Sequence, residues 1–100
     1  MDNRLVIAGT VAQGPETRFS PGGVPLSRFT LSHHSEQVEA GAPRRVVCEV
    51  TVVAAGEALQ AAVKRLQNGT RVRVHGFLGR ADSRRDDRLV LHAHEIESTE

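Results

Sequence analysis

Four arginines crowd the segment RADSRRDDR at 80–88: Arg80, Arg84, Arg85 and Arg88. A guanidinium presents paired, planar N–H donors that match the oxygens of a phosphate, so such a cluster is suited to gripping a polyanion. Between Arg71 and His94 six arginines face three aspartates, while the remainder carries seven basic and nine acidic residues. The chain as a whole has a formal net charge of only +1. Its positive charge is therefore a local footprint rather than a general stickiness. A second reading stays open, a solvated tip in which Asp82, Asp86 and Asp87 pair with the arginines. Of thirteen basic residues only Lys64 is a lysine, a bias that suits forked phosphate contacts and equally a GC-rich coding sequence.

The cluster must be held by the stretches on either side, 71–79 and 89–96. Side chains alternate between the two faces of a strand, so Val72 and Val74 enter a core while Arg71, Arg73 and His75 face out. The arginine run itself has nothing to bury and reads as an exposed hairpin tip. Residues 3–11, NRLVIAGTV, form a first strand with Leu5, Ile7, Gly9 and Val11 on one face. Gly9 and Gly14 suggest a bulge or bend. Pro15 ends regular pairing, and 16–19 resumes it. SPGGV at 20–24 is a turn, followed by a second strand over 25–35 with Phe29 and Leu31 inward and Arg28 on the opposite face. The polar, breaker-rich residues 33–43 read as a loop or long hairpin tip.

Residues 44–54, RRVVCEVTVVA, are the most continuous β-branched run and form the third, central strand. After Gly56 the spacing changes to that of a helix over 57–67, with Leu59, Ala62, Val63 and Leu66 on one face. Glu57 at its start and Lys64 and Arg65 near its end suit the helix dipole, and Asn68-Gly69 stops it. The order β-β-β-α-β-β predicts an all-β, five-stranded OB-fold barrel with one short helix between strands 3 and 4, forming a single domain over 1–100. A mixed α+β sandwich is the main alternative. In an OB barrel, strands 2 and 3 with the loops joining strands 1–2 and 4–5 make the binding face, which is where the arginine run falls.

Several function classes are excluded or weakened. One hundred residues with 39% hydrophobic content suit one modest core, so association that covers a sheet edge is expected. His92 and His94 share a strand face, but with His33, His34 and Cys48 they form no CxxC or HxxxH frame, so no metal is expected. No phosphate loop, nucleophile elbow or paired carboxylates are legible, so the chain is read as no enzyme and as needing no cofactor. The single cysteine precludes an intrachain disulfide, and its apolar setting predicts a buried, inert Cys48. No signal-peptide pattern or apolar run of about 20 residues is present, so no membrane contact and a cytoplasmic location are expected. The three aromatics are all Phe. Phe29 and Phe77 read as core, leaving Phe19, beside Arg18, as the candidate for stacking on a base. Arg28, Arg44 and Arg45 extend the basic surface if they face the same way.

In order and spacing, NRLVIAGTV at 3–11, SPGGVP at 20–25, EAG at 39–41, VHGFL at 74–78 and VLHAHEIE at 90–97 closely resemble primosomal replication protein N, the PriB family. The resemblance covers about residues 3–97 almost without gaps. It implies a homodimeric OB-fold that binds single-stranded DNA during the restart of stalled replication forks. It also implies partnership with the helicase PriA and, in some bacteria, with DnaT. Family DNA contacts in the 4–5 loop match Arg84 and Arg88, with Arg80 and Arg85 adjacent; other matched positions are Arg18, Arg44 and the place held by His34. A stacking Trp of well-known members is replaced by Val47 and a nearby Phe by Ala42, Asp82 stands where a lysine is usual, and the loop is slightly shorter. These departures predict weaker DNA binding with partner contacts carrying more of the role. A primosome adaptor with weak DNA binding is the competing reading.

Overall fold

The computed structural model describes the backbone of residues 1–82 and 86–100, and the side-chain surroundings of all of these except 82, 86 and 87. The strands are β1 (Leu5–Phe19), β2 (Pro25–Glu39), β3 (Ala42–Ala55), β4 (Arg71–Asp82) and β5 (Asp86–Ser98). They close into a barrel in the order β1-β2-β3-β5-β4. All pairings are antiparallel except β3 with β5, which run parallel and meet at Val52–Leu91 and Val53–His92. A five-stranded barrel with this closure and one short helical segment between β3 and β4 is the OB fold.

Strand β1 is shared between two neighbours. Leu5 to Thr10 pair with β4, and Thr10 to Phe19 pair with β2. The change of partner needs curvature, supplied by register shifts around Gln13 and by Gly14 at φ 97°. A Cβ on Gly14 would sit 3.0 Å from the Arg28 carbonyl oxygen, so glycine is required by space as well as by dihedral. Pairing then resumes at Glu16–Arg28 as far as Phe19–Pro25, as expected.

Alternation sorts the two faces. Val11, Phe29, Leu31, Val52, Val72, Val74 and Leu91 point inward and are all but inaccessible. The buried Ser27 accepts or shares hydrogen bonds with Thr17 Oγ1 at 2.8 Å and Gln60 Nε2 at 3.1 Å, so its hydroxyl is satisfied.

Three expectations are corrected. The helix is shorter than 57–67: a 3₁₀ turn (Glu57–Leu59) leads into a single α turn, α1 (Gln60–Val63). So short a helix is not self-sustaining; it is held because Val63 and Leu66 are buried in the core with Leu59 and Ala62 against it. Backbone bonds between Val11 and residues 69 and 70 tie the exit from the helix to β1. Second, 33–43 is no loop. Strand pairing runs on through Glu39–Ala42, and the chain reverses at Ala40 (φ 53°) and Gly41 (φ 79°). Two successive positive φ values give a turn whose twist matches that of the flanking strands, so polar composition here marks a solvated ribbon. Third, β4 extends to Asp82 and β5 begins at Asp86, so Arg80 and Arg88 stand on strands rather than in a loop. No described helix is long and apolar enough to cross a membrane.

Candidate nucleic-acid interface

Cross-strand pairs place one row of residues across the outside of the barrel. Glu16 of β1 faces Arg28 of β2, Arg28 faces Val53 of β3, Val53 meets His92 of β5, and His92 faces Phe77 of β4. Arg18 pairs with Leu26 on the same outer side. These residues enclose a cleft of about 440 Å³ lined by Glu16, Arg18, Leu26, Arg28, Val53 and His92, with Ala81 at its edge. Its side chains include two guanidiniums against one carboxylate, set on an apolar floor. Such a site can hold an anion attached to a flat, apolar group.

A second cleft of about 410 Å³ shares Arg28 and Ala81 with the first and continues to Arg88, Glu49, Thr51 and Val90. Before Val52 and Leu91 no β3–β5 pair exists among the described residues, and the second cleft lies in that gap. Arg18, Arg28 and Arg88 thus border one continuous groove, at whose far end the 4–5 connection begins.

The other sequence-derived positions are distributed as follows. Arg84 and Arg85 lie outside the described residues, as does the pairing of Asp82, Asp86 and Asp87 with the arginines. Arg80 is paired with Leu89, which lines the second cleft together with Arg88. Arg44 and Arg45 stand at the far end of the β2–β3 ribbon beside a third, shallow hollow that Val47 also lines. Arg44 is paired with Gln37 on one ribbon face and forms an ion pair with Glu39. Arg45 takes the other face, where His34 lies across from Val47. That face is the continuation of the one carrying Arg28. Phe19 is 68% exposed but stands opposite Pro25, on the side of the strand away from Arg18. The cleft and the proposed stacking residue therefore do not coincide.

Two residue assignments are overturned. Cys48 is exposed, not buried; it takes the inward parity of β3, but the ribbon has left the barrel by that point and there is no interior to enter. Phe77 is not in the core. It lies on the outer face, its ring stacked on His92 with centroids 4.9 Å apart and planes 14° from parallel, and His94 approaches at 5.2 Å. Alternation from Val72 and Val74 carries the signal for this, because it puts Phe77 on the side of Arg73 and His75. The apolar character of Phe argues the other way, and alternation wins.

Further along the same wall, Glu97 accepts hydrogen bonds from His75 Nε2 at 2.9 Å and Arg73 at 3.3 Å. The His75 hydrogen bond first, and then Arg73, hold its carboxyl below the usual glutamate range. No group of three or more metal-ligating side chains occurs among the described residues.

Barrel order, one short helix after β3 and a groove bordered by arginines on the β2–β3–β5 exterior define an OB barrel of the binding-module type. In keeping with this, the family described as "Another single-strand binding protein family" matches residues 3–95. The likeness to the wild-type single-stranded DNA binding protein of Thermus aquaticus is one of fold alone: TM-score 0.80 at 23% identity, covering 98% of this chain and 50% of that one. The replication restart protein PriB of Erwinia tasmaniensis is 42% identical over 96 residues, covering 95% of this chain and 91% of the relative. The Escherichia coli K12 PriB is 39% identical over 98 residues, 97% and 94% of the two chains. The PriB structure from Ralstonia solanacearum superposes with a TM-score of 0.85 at 28% identity, covering 100% of both chains. The chain belongs to the PriB family of replication restart proteins.

Proposed function

We propose that this chain is a non-enzymatic, single-stranded DNA-binding accessory of the replication-restart primosome, acting in the cytoplasm. In this reading its arginines neutralise phosphates and the PriA helicase docks on the same protein. The observation that carries the reading is the continuous groove bordered by Arg18, Arg28 and Arg88 on the barrel exterior. A strand entering it passes from the guanidiniums on the barrel wall toward the 4–5 connection, where Arg84 and Arg85 add further positive charge. Family membership supports both the role in restart and a homodimeric state, and DnaT is a further partner where it occurs. Phosphate contacts carry no base identity, so binding is largely independent of sequence.

The test is a titration of labelled oligo-dT at several salt concentrations. Wild type is compared with an Arg84→Ala/Arg85→Ala/Arg88→Ala variant and with Arg18→Ala/Arg28→Ala. For single strands the logarithm of the binding constant falls with the logarithm of salt by about 0.7 per phosphate neutralised. Each variant is expected to bind more weakly and with a shallower slope. A flat salt response in wild type, or variants that bind as wild type does, would sink the reading. Sedimentation at rising concentration tests the dimer, and a monomer at every concentration would remove it.

One observation favours the adaptor reading: the far ribbon presents Val38 and Val47 exposed at 76% and 58%, where an apolar partner surface could seat. Stimulation of PriA by the triple-arginine variant at wild-type levels, with DNA binding lost, would favour the adaptor.

A further inference from the structure

We infer that His92, backed by Phe77, is a shelf on which one nucleobase of the bound strand stacks. This rests on the single-strand-binding reading above and adds a contact to it. The family resemblance and the residue pattern leave the chain without an aromatic platform, because Val47 and Ala42 replace the expected rings and Phe19 faces away from the groove. The barrel supplies one from another place.

Three features make these rings a platform. The first is rigidity: the Phe77 ring lies nearly parallel to His92 at 4.9 Å and His94 tilts against Phe77 at 46°, so the imidazole is propped from behind. Room is the second. A Cβ on Gly79 would come within 2.9 Å of His92 Nε2 and 3.0 Å of Cδ2, so the glycine lets the imidazole lie low across the strand. The third is position, because His92 lines the same cleft as Arg18 and Arg28. Phe77 covers one side of the imidazole, and His92 is among the residues that line the cleft.

The spacing suits a nucleotide. Strands lie about 4.8 Å apart, so His92 and Arg28, two strands removed, are separated by about 10 Å across the sheet. A base resting on His92 has its phosphate within reach of a long guanidinium side chain. Leu26 and Val53 give the cleft an apolar floor, and a stacked base would cover it. Stacking is tolerant of base identity because every base has a π-face, which agrees with a groove that reads phosphates.

Binding of His92→Ala, His92→Phe and wild type to oligo-dT and to an abasic oligonucleotide of equal length tests the shelf. Equal urea midpoints serve as the folding control. Loss of one stacked base is expected to weaken His92→Ala binding to oligo-dT by about five- to tenfold. Abasic binding and the salt slope should be unchanged, because no phosphate contact is lost. His92→Phe should restore oligo-dT binding. Wild-type affinity in His92→Ala, or an equal loss on the abasic strand, would overturn the shelf and leave the Phe77–His92 pair structural. Failure of wild type to bind oligo-dT at all would instead remove the single-strand-binding reading, and the shelf with it.

Discussion

Strands β2 and β3 pass through two different environments, and the contrast between them explains where this protein can place chemistry. In the barrel, Phe29 and Leu31 face Val52 and Val50 across the ladder, and Phe29, Leu31 and Val52 are sealed from solvent. In the ribbon beyond Ser32, the same alternation continues as His33–Cys48, Ser35–Val46 and Gln37–Arg44, but neither face is enclosed. The barrel half fixes its outer side chains because their backbone is pinned by the core beneath. Arg28 and His92 owe their positions to that. The ribbon half is ordered by pairing, its turn and polar contacts such as that of His33 Nδ1 with the Ala8 carbonyl at 2.7 Å, and its arginines are anchored by no core. Preorganised contacts therefore belong to the barrel wall, whereas the ribbon offers reach.

The contrast can be broken most severely in the core. Phe29→Ala should cost about 3–5 kcal/mol, read as a fall in the urea midpoint at unchanged slope. Val38→Ala on the ribbon should stay within about 0.5 kcal/mol of wild type. Similar losses at the two positions would mean that the ribbon is covered in solution. A smaller effect comes from the ribbon turn. Ala40 sits at φ 53°, a left-handed conformation that costs a side-chain-bearing residue about 1 kcal/mol. Ala40→Gly should therefore raise stability by up to about 1 kcal/mol, and a loss would show that the added freedom of glycine in the unfolded chain outweighs the relieved strain.

The mildest test concerns the exposed ion pairs of the barrel wall. The lowered carboxyl of Glu97 contributes stability that is fully present above the ordinary glutamate value of about 4.3. The contribution is lost as pH falls from there through the folded value. In a urea series between neutral pH and pH about 3, Glu97→Gln should narrow its gap to wild type on acidification. A gap that stays constant would deny the linkage.

Much of this was legible locally. The turn at 20–24 is built as its residues require, with Gly23 donating to the Ser20 carbonyl at 2.8 Å and Val24 N–H to Ser20 Oγ at 3.0 Å. The inward stripe of Val72 and Val74, the outward Arg28 and the burial of Val63 on α1 and Leu66 just after it all follow from spacing. What misled was composition taken without pairing: polar residues 33–43 read as a loop, and Cys48 read as interior because its neighbours are apolar. Both depend on whether a strand still lies against the barrel at that point.

The sequence by itself therefore determined the order of the elements, most of their buried faces and the basic character of the 80–88 segment. These are properties of spacing and charge within a few residues of chain. Only the tertiary structure decided which of those residues share a surface. The slip at His75 and Gly76, where His94 is passed over in the β4–β5 pairing, sets both His92 and His94 against Phe77. The parallel closure of β3 on β5 then brings His92 beside Val53, and so into line with Arg28. That register joins positions about forty residues apart in the chain, and it is set by the packing of the whole barrel, where no local preference can reach.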